Sequence, residues 1–309
     1  MAASLTTLAY ASSEIKQGKF KITTFDVPGT PSGYGILGVE NINDEGVIVG
    51  YDETSPEVGF VRQPNGKITE LIDPLSNGAF QLTSADGLND EGTVVGYYFD
   101  GAHAQYSGFL YRKGEFTTYN FPGLPQYSAT TIAAINNLGS FVGYYEAAPA
   151  YKAVAYVNTG GKIDTNFVIP TSTFTEPTAI DDFGQVAGVF EDSSSVDHGF
   201  FRDWKGKITI IDVPGSASPG TVILGLNDFG WMSGHFWDAE NHEHGFLRSP
   251  EGVFYQIDVP GANTTTQYFG TAGGGLNNFG VVAGHYDPSN GAVEKGYIAV
   301  PEFNTISWF

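Results

Sequence analysis

The stretch LNDEGTVVGY, residues 88–97, decides how the rest of this chain is organised. It returns as INDEGVIVGY at 42–51, INNLGSFVGY at 135–144, IDDFGQVAGV at 180–189, LNDFGWMSGH at 226–235 and LNNFGVVAGH at 276–285. Asn-Asp or Asn-Asn followed two residues later by Gly supplies the side-chain capping and the positive φ of a short hairpin turn. The run after the Gly is β-branched and aromatic, as a strand should be. Each copy therefore reads as the end of one strand, a tight turn and the start of the next.

Working outward, each copy is followed by a second short strand, such as SGFLYR (107–112), HGFFRD (198–203) or HGFLRS (244–249). Another strand then runs into a turn, as in KITTFDVPG (21–29), KITIIDVPG (207–215) and VFYQIDVPG (253–261). The Asn/Asp positions 43, 89, 136, 181, 227 and 277 give steps of 46, 47, 45, 46 and 50 residues. Four short strands at a period of about 40–50 residues mark a propeller blade, so six periods imply six blades. The expected fold is all-β, a six-bladed β-propeller with four antiparallel strands per blade.

Crossing from the outer edge of one blade to the inner edge of the next spans ~15 Å, about three interstrand gaps. Only the segment between Val-Pro-Gly and the next Leu/Ile-Asn is consistently long enough. The strand ending in Leu/Ile-Asn should therefore be innermost, and its small residues (Ala85, Gly87, Ala133, Ala134, Gly273, Gly274, Gly275) suit a crowded axis. Residues 21–27 are expected to complete the last blade and remove an open edge, in competition with the tail FNTISWF at 303–309. This makes residues 1–20 an N-terminal extension and 21–309 one domain.

The three phrases in fixed order resemble the HAF-repeat family of predicted extracellular β-propellers, over about residues 20–300. That repeat reads roughly Gly-Ile-Asn-x-x-Gly-x-Val-Val-Gly-x-Tyr, then His-Gly-Phe-Leu, then Phe-Asp-x-Pro-Gly. Blade three departs from it, with Ala153-Val154 aligned to Gly-Phe, and blade four has Asp181 for Asn and Val189 for Tyr. The resemblance implies a propeller and an extracellular or periplasmic location. It brings no assigned catalytic residues.

Composition narrows the function classes. Lys and Arg total 14 against 34 Asp and Glu, a formal net charge of −20. Nucleic acid and anionic membrane surfaces both demand a basic face and are not expected partners. The chain has no cysteine, which removes disulfides, thiol catalysis and Cys-ligated zinc. No apolar stretch approaches the ~20 residues of a membrane span, and residues 1–13 lack the features of an intact signal peptide. Neither a Gly-x-x-x-x-Gly-Lys loop nor a Gly-x-Ser-x-Gly elbow occurs, and no cofactor is expected.

Strand alternation puts the short turns (NDEG, NNLG, RKG) on one end of the ring and the variable loops on the other. Variable loops on a rigid scaffold are where binding and chemistry sit. Those at 99–107, 191–198 and 237–244 are acidic and rich in Tyr, Phe, Trp and His. Ligand-binding candidates on that face are Tyr51, Tyr106, Tyr127, Phe174, Trp237 and Tyr268, with loop packing as the plainer role for each.

The last residue of the repeated phrase reaches the same end: Tyr51, Tyr97, Tyr144, Val189, His235 and His285. Two histidines on neighbouring blades, with tyrosines round the ring, could supply acid and base near neutral pH. On the innermost strand the matching positions hold Glu40 and Asp86, and Glu176 stands in the same stripe two residues earlier. Such carboxyls can share a proton, hold a cation or act as acid and base; solvated channel lining is the competing reading. His198 and His244 belong to the His-Gly-Phe phrase and read as structural. His242 and His244 form His-x-His, but a third ligand at diagnostic spacing is missing and no metal site is assigned.

The sequence thus points to a monomeric propeller binding a glycan or small molecule on its acidic, aromatic face. The alternative is a cofactor-independent lyase, hydrolase, isomerase or cyclase in which His235, His285, Glu40, Asp86, Glu176, Tyr97 and Tyr144 perform acid–base chemistry.

Overall fold

The computed structural model describes residues 15–27, 37–52, 56–77 and 81–302. Among them every regular element is a strand, and there is no helix long and apolar enough to cross a membrane. Repeat 2 shows the pattern: Thr83–Leu88, Val94–Asp100, Gln105–Arg112 and Glu115–Tyr119 pair antiparallel in chain order. Repeat 1 does the same with Leu37–Ile42, Ile48–Asp52, Val58–Arg62 and Ile68–Leu71. In repeat 3 the first strand is interrupted, Ala129–Thr130 and Ala134–Ile135, before Phe141–Ala147, Lys152–Thr159 and Lys162–Asp164. Repeat 4 comprises Phe174–Ile180, Val186–Glu191, Asp197–Arg202 and Ile208–Ile211. Repeat 5 comprises Ala217–Leu226, Met232–Trp237, Glu243–Arg248 and Phe254–Ile257. A single parallel bridge, Asp197 to Gly220, links these two repeats into one sheet.

Repeat 6 contributes Thr271–Leu276, Val282–Tyr286 and Lys295–Pro301. Its fourth strand comes from the start of the chain: Phe20–Phe25 runs antiparallel to Lys295–Pro301, with Phe25 opposite Gly296. The rival tail, 303–309, lies outside the described residues, as do residues 1–14 of the N-terminal extension. The described part of that extension is itself paired, because Lys16–Gln17 runs parallel to the outer strand of repeat 5, with Lys16 opposite Tyr255.

The repeated Asn-Asp-x-Gly turn fastens each repeat to the next. Asn89 Oδ1 accepts from the Thr93 amide at 3.0 Å, and Gly92 takes φ +76°, where a side chain would be strained. Its Nδ2 donates onward to the Asn136 carbonyl at 3.0 Å. The residue that follows makes a second set of links. The amides of Asp44, Asp90, Asn137, Asp182, Asp228 and Asn278 each donate to the side chain of the next member, at 2.8–3.0 Å, and Asn278 donates back to Asp44. This cycle uses all six turns.

Packing follows the same order. Each core cluster draws on two neighbouring repeats: Val142 and Ala155 of repeat 3 pack with Val186 and Phe200 of repeat 4, and Ala283 of repeat 6 packs with Val39 and Phe60 of repeat 1. The second-strand glycine faces a buried aromatic on the third strand, as in Gly96–Phe109 and Gly234–Phe246. A Cβ at Gly96 would fall on the Ser84 carbonyl, and five equivalent glycines meet the same obstacle. In repeat 3 the partner of Gly143 is Tyr156. The Gly-Phe equivalents there are therefore Ala155-Tyr156, and not Ala153-Val154: the third strand of this repeat starts earlier, which displaced the sequence alignment by two residues.

Candidate functional site

Strand register places the predicted site residues at two levels on the first and second strands of the repeats. At the first level Tyr51 faces Gly38, Tyr97 faces Ser84, His235 faces Val222 and His285 faces Ala272. Tyr144 is hydrogen-bonded to Thr131 in the same way. Repeat 4 reverses the arrangement, for Val189 faces Glu176. Where the second strand loses its polar ring, the innermost strand supplies a carboxyl.

The second level is made by β-bulges, which the sequence did not announce. In repeats 1 and 2 the pairing skips Glu40 and Asp86, each the extra residue of its bulge. Thr178 and Leu224 are skipped in repeats 4 and 5. A bulge re-aims a side chain that regular pleating would hold in the sheet interior. Glu40 and Asp86 both keep partial contact with water although protein surrounds them, as expected of groups facing an enclosed channel.

These groups interact. Burial, with the charge of Glu176, raises the Glu40 carboxyl to about 7. Burial and the charge of Asp197 raise Glu176 to about 7. Asp86 is pushed well above its usual range by burial and then by Glu40, against a hydrogen bond from Ser84 Oγ at 2.6 Å. Tyr97 and Tyr144 are raised by burial; the charges of Asp86 and Glu57 add to the first, and those of Glu176 and Glu146 to the second. A Cβ at Gly38 would meet both the Tyr51 ring and the Glu40 carboxyl, so those two lie side by side.

In repeats 5 and 6, burial lowers His235 to about 4, and burial together with His235 lowers His285 to about 3. Both are neutral at pH 7. The expectation that they exchange protons near neutrality is corrected: enclosure disfavours the imidazolium, and titration near neutral pH passes to carboxyls. His235 Nδ1 lies 3.2 Å from the Gly273 carbonyl and Nε2 lies 3.6 Å from Glu243 Oε1. Glu243 is itself raised to about 8 by burial and by Asp287.

Three of the aromatic candidates join this group. Tyr106 packs edge-on against Tyr97 with ring centres 6.0 Å apart, Phe174 against Tyr144 at 5.5 Å, and Trp237 against His235 at 5.0 Å. Tyr127 and Tyr268 stand apart, 53% and 60% exposed, each with a left-handed φ of 66°. They make no ring contact with the group.

Sequence reasoning missed Glu57, Asp197 and Glu243. Each sits two residues before the third-strand glycine, where Glu294 also falls. That fourfold acid was legible, but the neighbouring His of His-Gly-Phe drew the eye. Those histidines are structural: His198 Nδ1 lies 3.0 Å from Asp212, and His244 is held between Asp258 at 2.7 Å and Asp238 at 3.2 Å. Among the described residues no group of three or more His, Asp or Glu is arranged to hold a metal ion.

No family model and no curated protein matches the sequence. Solved structures do. The lectin of Aleuria aurantia in complex with Fucα1-6GlcNAc is 11% identical, with 87% of this chain and 96% of the lectin covered and a TM-score of 0.51. XC5397 of Xanthomonas campestris, described as a gluconolactonase, is 11% identical over 97% of this chain and 94% of its own, with a TM-score of 0.51. The lectin is a six-bladed β-propeller. The likeness is one of fold. At such identity it carries no residue of either protein's site over to this chain.

Proposed function

We propose that this chain is a closed six-bladed propeller of the HAF-repeat family, with four antiparallel strands per blade and the N-terminal strand completing the last. On this reading it is an exported monomer that binds a glycan or another small polyhydroxylated molecule in its axial site. The observation that carries the reading is the meeting of Tyr97, Tyr144, Glu40, Asp86 and Glu176 at one place, flanked by Tyr106 and Phe174. Tyrosine rings offer apolar faces to sugar carbons while their hydroxyls and the carboxyls take sugar hydroxyls. A glycan array and a thermal-shift screen of small polyols test it. Saturable binding that Tyr97→Phe combined with Tyr144→Phe weakens at least tenfold is expected; two empty screens would remove the reading.

A second reading has its own support. Burial raises Glu40 and Glu176 both to about 7, and the charge of Glu176 helps to raise Glu40, so near neutrality one can hold a proton while the other is ionised. That is the condition for acid–base catalysis without a cofactor. Turnover of a lactone or an aryl glycoside that is lost in both Glu40→Gln and Glu176→Gln would favour it over simple binding.

A further inference from the structure

Resting on the reading of the axial site as a ligand site, we infer that it is built for a ligand carrying a protonated amine, an amine-bearing sugar or polyol. Three carboxyls of the site come from three different repeats: Glu40 and Asp86 as bulge residues of adjacent repeats 1 and 2, and Glu176 from repeat 4. The hydrogen bond from Ser84 to Asp86 is the one protein bond to any of these carboxyls among the described residues. No Lys, Arg or His within the described residues forms an ion pair with Glu40, Asp86 or Glu176; His198, His244 and Lys295 are paired with other acids, Asp212, Asp258 and Asp26.

Enclosed carboxylates without a counter-ion are costly, and in this molecule they are left so three times over. Protons relieve that cost, which is why these groups are raised above the usual carboxyl range. A ligand ammonium relieves it better, because it pairs with the charged form and is also attracted to aromatic faces. Aromatic rings stand beside the acids: Tyr51 lies next to Glu40, and Tyr97, paired edge-on with Tyr106, feels the charge of Asp86. Glu57 and Asp197 flank the three acids and add further negative charge.

The opposite half asks for something different. Trp237 Nε1 and His285 Nδ1 are shut off from water and have no hydrogen-bond partner among the described residues. The imidazoles there are neutral, so they do not repel a cation across the site. Trp237 needs an acceptor and His285 takes either role, which suits hydroxyl oxygens. A neutral polyol satisfies this half and leaves the acids unpaired; an anion is repelled by them. An amine at one end and hydroxyls along the rest satisfy both.

The test is a series on one carbon skeleton: glucamine (1-amino-1-deoxysorbitol), sorbitol and gluconate, titrated calorimetrically into the intact protein. Glucamine is expected to bind at least tenfold tighter than sorbitol, and gluconate not at all. At pH 7 glucamine binding should release protons, seen as a heat that differs between phosphate and HEPES buffers. Glu40→Gln and Glu176→Gln, each checked for a cooperative transition melting no lower than the wild type's, should erase the preference for glucamine. Sorbitol binding as tightly as glucamine overturns the inference, as does glucamine failing to bind. In either case a neutral sugar held at Tyr97 and Tyr144 would leave the ligand-site reading standing, whereas empty screens would remove both.

Discussion

Lys295 Nζ lies 2.8 Å from Asp26 Oδ1 and so ties the start of the chain to its last repeat. Repeats 4 and 5 have the same clamp, His198 on Asp212 and His244 on Asp258, between the head of the third strand and the end of the fourth. The N-terminal strand thus enters repeat 6 in the place an ordinary fourth strand would take, down to the acid of its Asp-Val-Pro-Gly. The ion pair itself is weak, since Lys295 and Asp26 are 34% and 76% exposed. Lys295→Ala should cost less than about 1 kcal/mol. Deleting residues 1–27 exposes the edge of Lys295–Pro301 and should abolish the cooperative thermal transition. A near-normal melting temperature for the deletion would rule this closure out.

The histidine clamp makes stability depend on pH in a stated direction. Burial disfavours the charged His244, but the hydrogen bond and charge of Asp258, and then those of Asp238, raise it above its ordinary 6.5. A raised histidine contributes fully below its unfolded value and less as pH climbs through the folded one. His244→Ala should therefore destabilise by about 1–3 kcal/mol at pH 6 and by clearly less at pH 9, measured by urea unfolding. Equal losses at both pH values would mean that packing on Phe236, and not charge, holds the ring in place.

The repeat and the pairing of the N-terminal strand with the last repeat were legible in the sequence, because they rest on periodicity. The site was legible only in part. Glu40, Asp86 and Glu176 could be picked out as departures from a repeated pattern, yet the bulges that turn Glu40 and Asp86 outward leave no mark in composition. His235 and His285 were rightly placed at one level and wrongly expected to titrate near neutrality, since enclosure is a tertiary property that a residue type does not carry. Tyr127 and Tyr268 were included for being aromatic and on long loops, and the loops carry them away from the axis.

The ring of turns has a weak point that substitution can find. Asn278 Nδ2 donates to Asp44 at 3.2 Å and to Asp228 at 3.1 Å, so one amide separates two carboxylates. Asn137 does the same between Asp90 and Asp182. Asn278→Asp removes both donors and sets a third negative charge between the first two. A loss of about 2–4 kcal/mol is expected at pH 7, shrinking near pH 4 as Asp44, held above its usual range by burial, takes up a proton. Unfolding midpoints at the two pH values measure it, and an unchanged midpoint at pH 7 would contradict the role given to the ring.

The axial carboxyls should leave their own trace on stability. Glu40 rises from 4.5 to about 7 because burial, and then the charge of Glu176, penalise its ionised form. The folded state therefore holds the proton more tightly than the unfolded chain does. Stability from this source is whole below about pH 4.5 and is lost as pH climbs towards 7, the reverse of a salt-bridged acid. The full loss would be about 3 kcal/mol, and partial water contact brings it nearer 1–2 kcal/mol. Glu40→Gln carries no charge at any pH and should melt higher than the wild type at pH 8, with little difference at pH 4.5. Glu176→Gln should behave alike, and because the Glu176 charge is part of what raises Glu40, the double variant should gain less than the two single gains together. Melting curves that run parallel from pH 4.5 to 8 would show that Glu40 is simply solvated, and the enclosed acidic site would go with it.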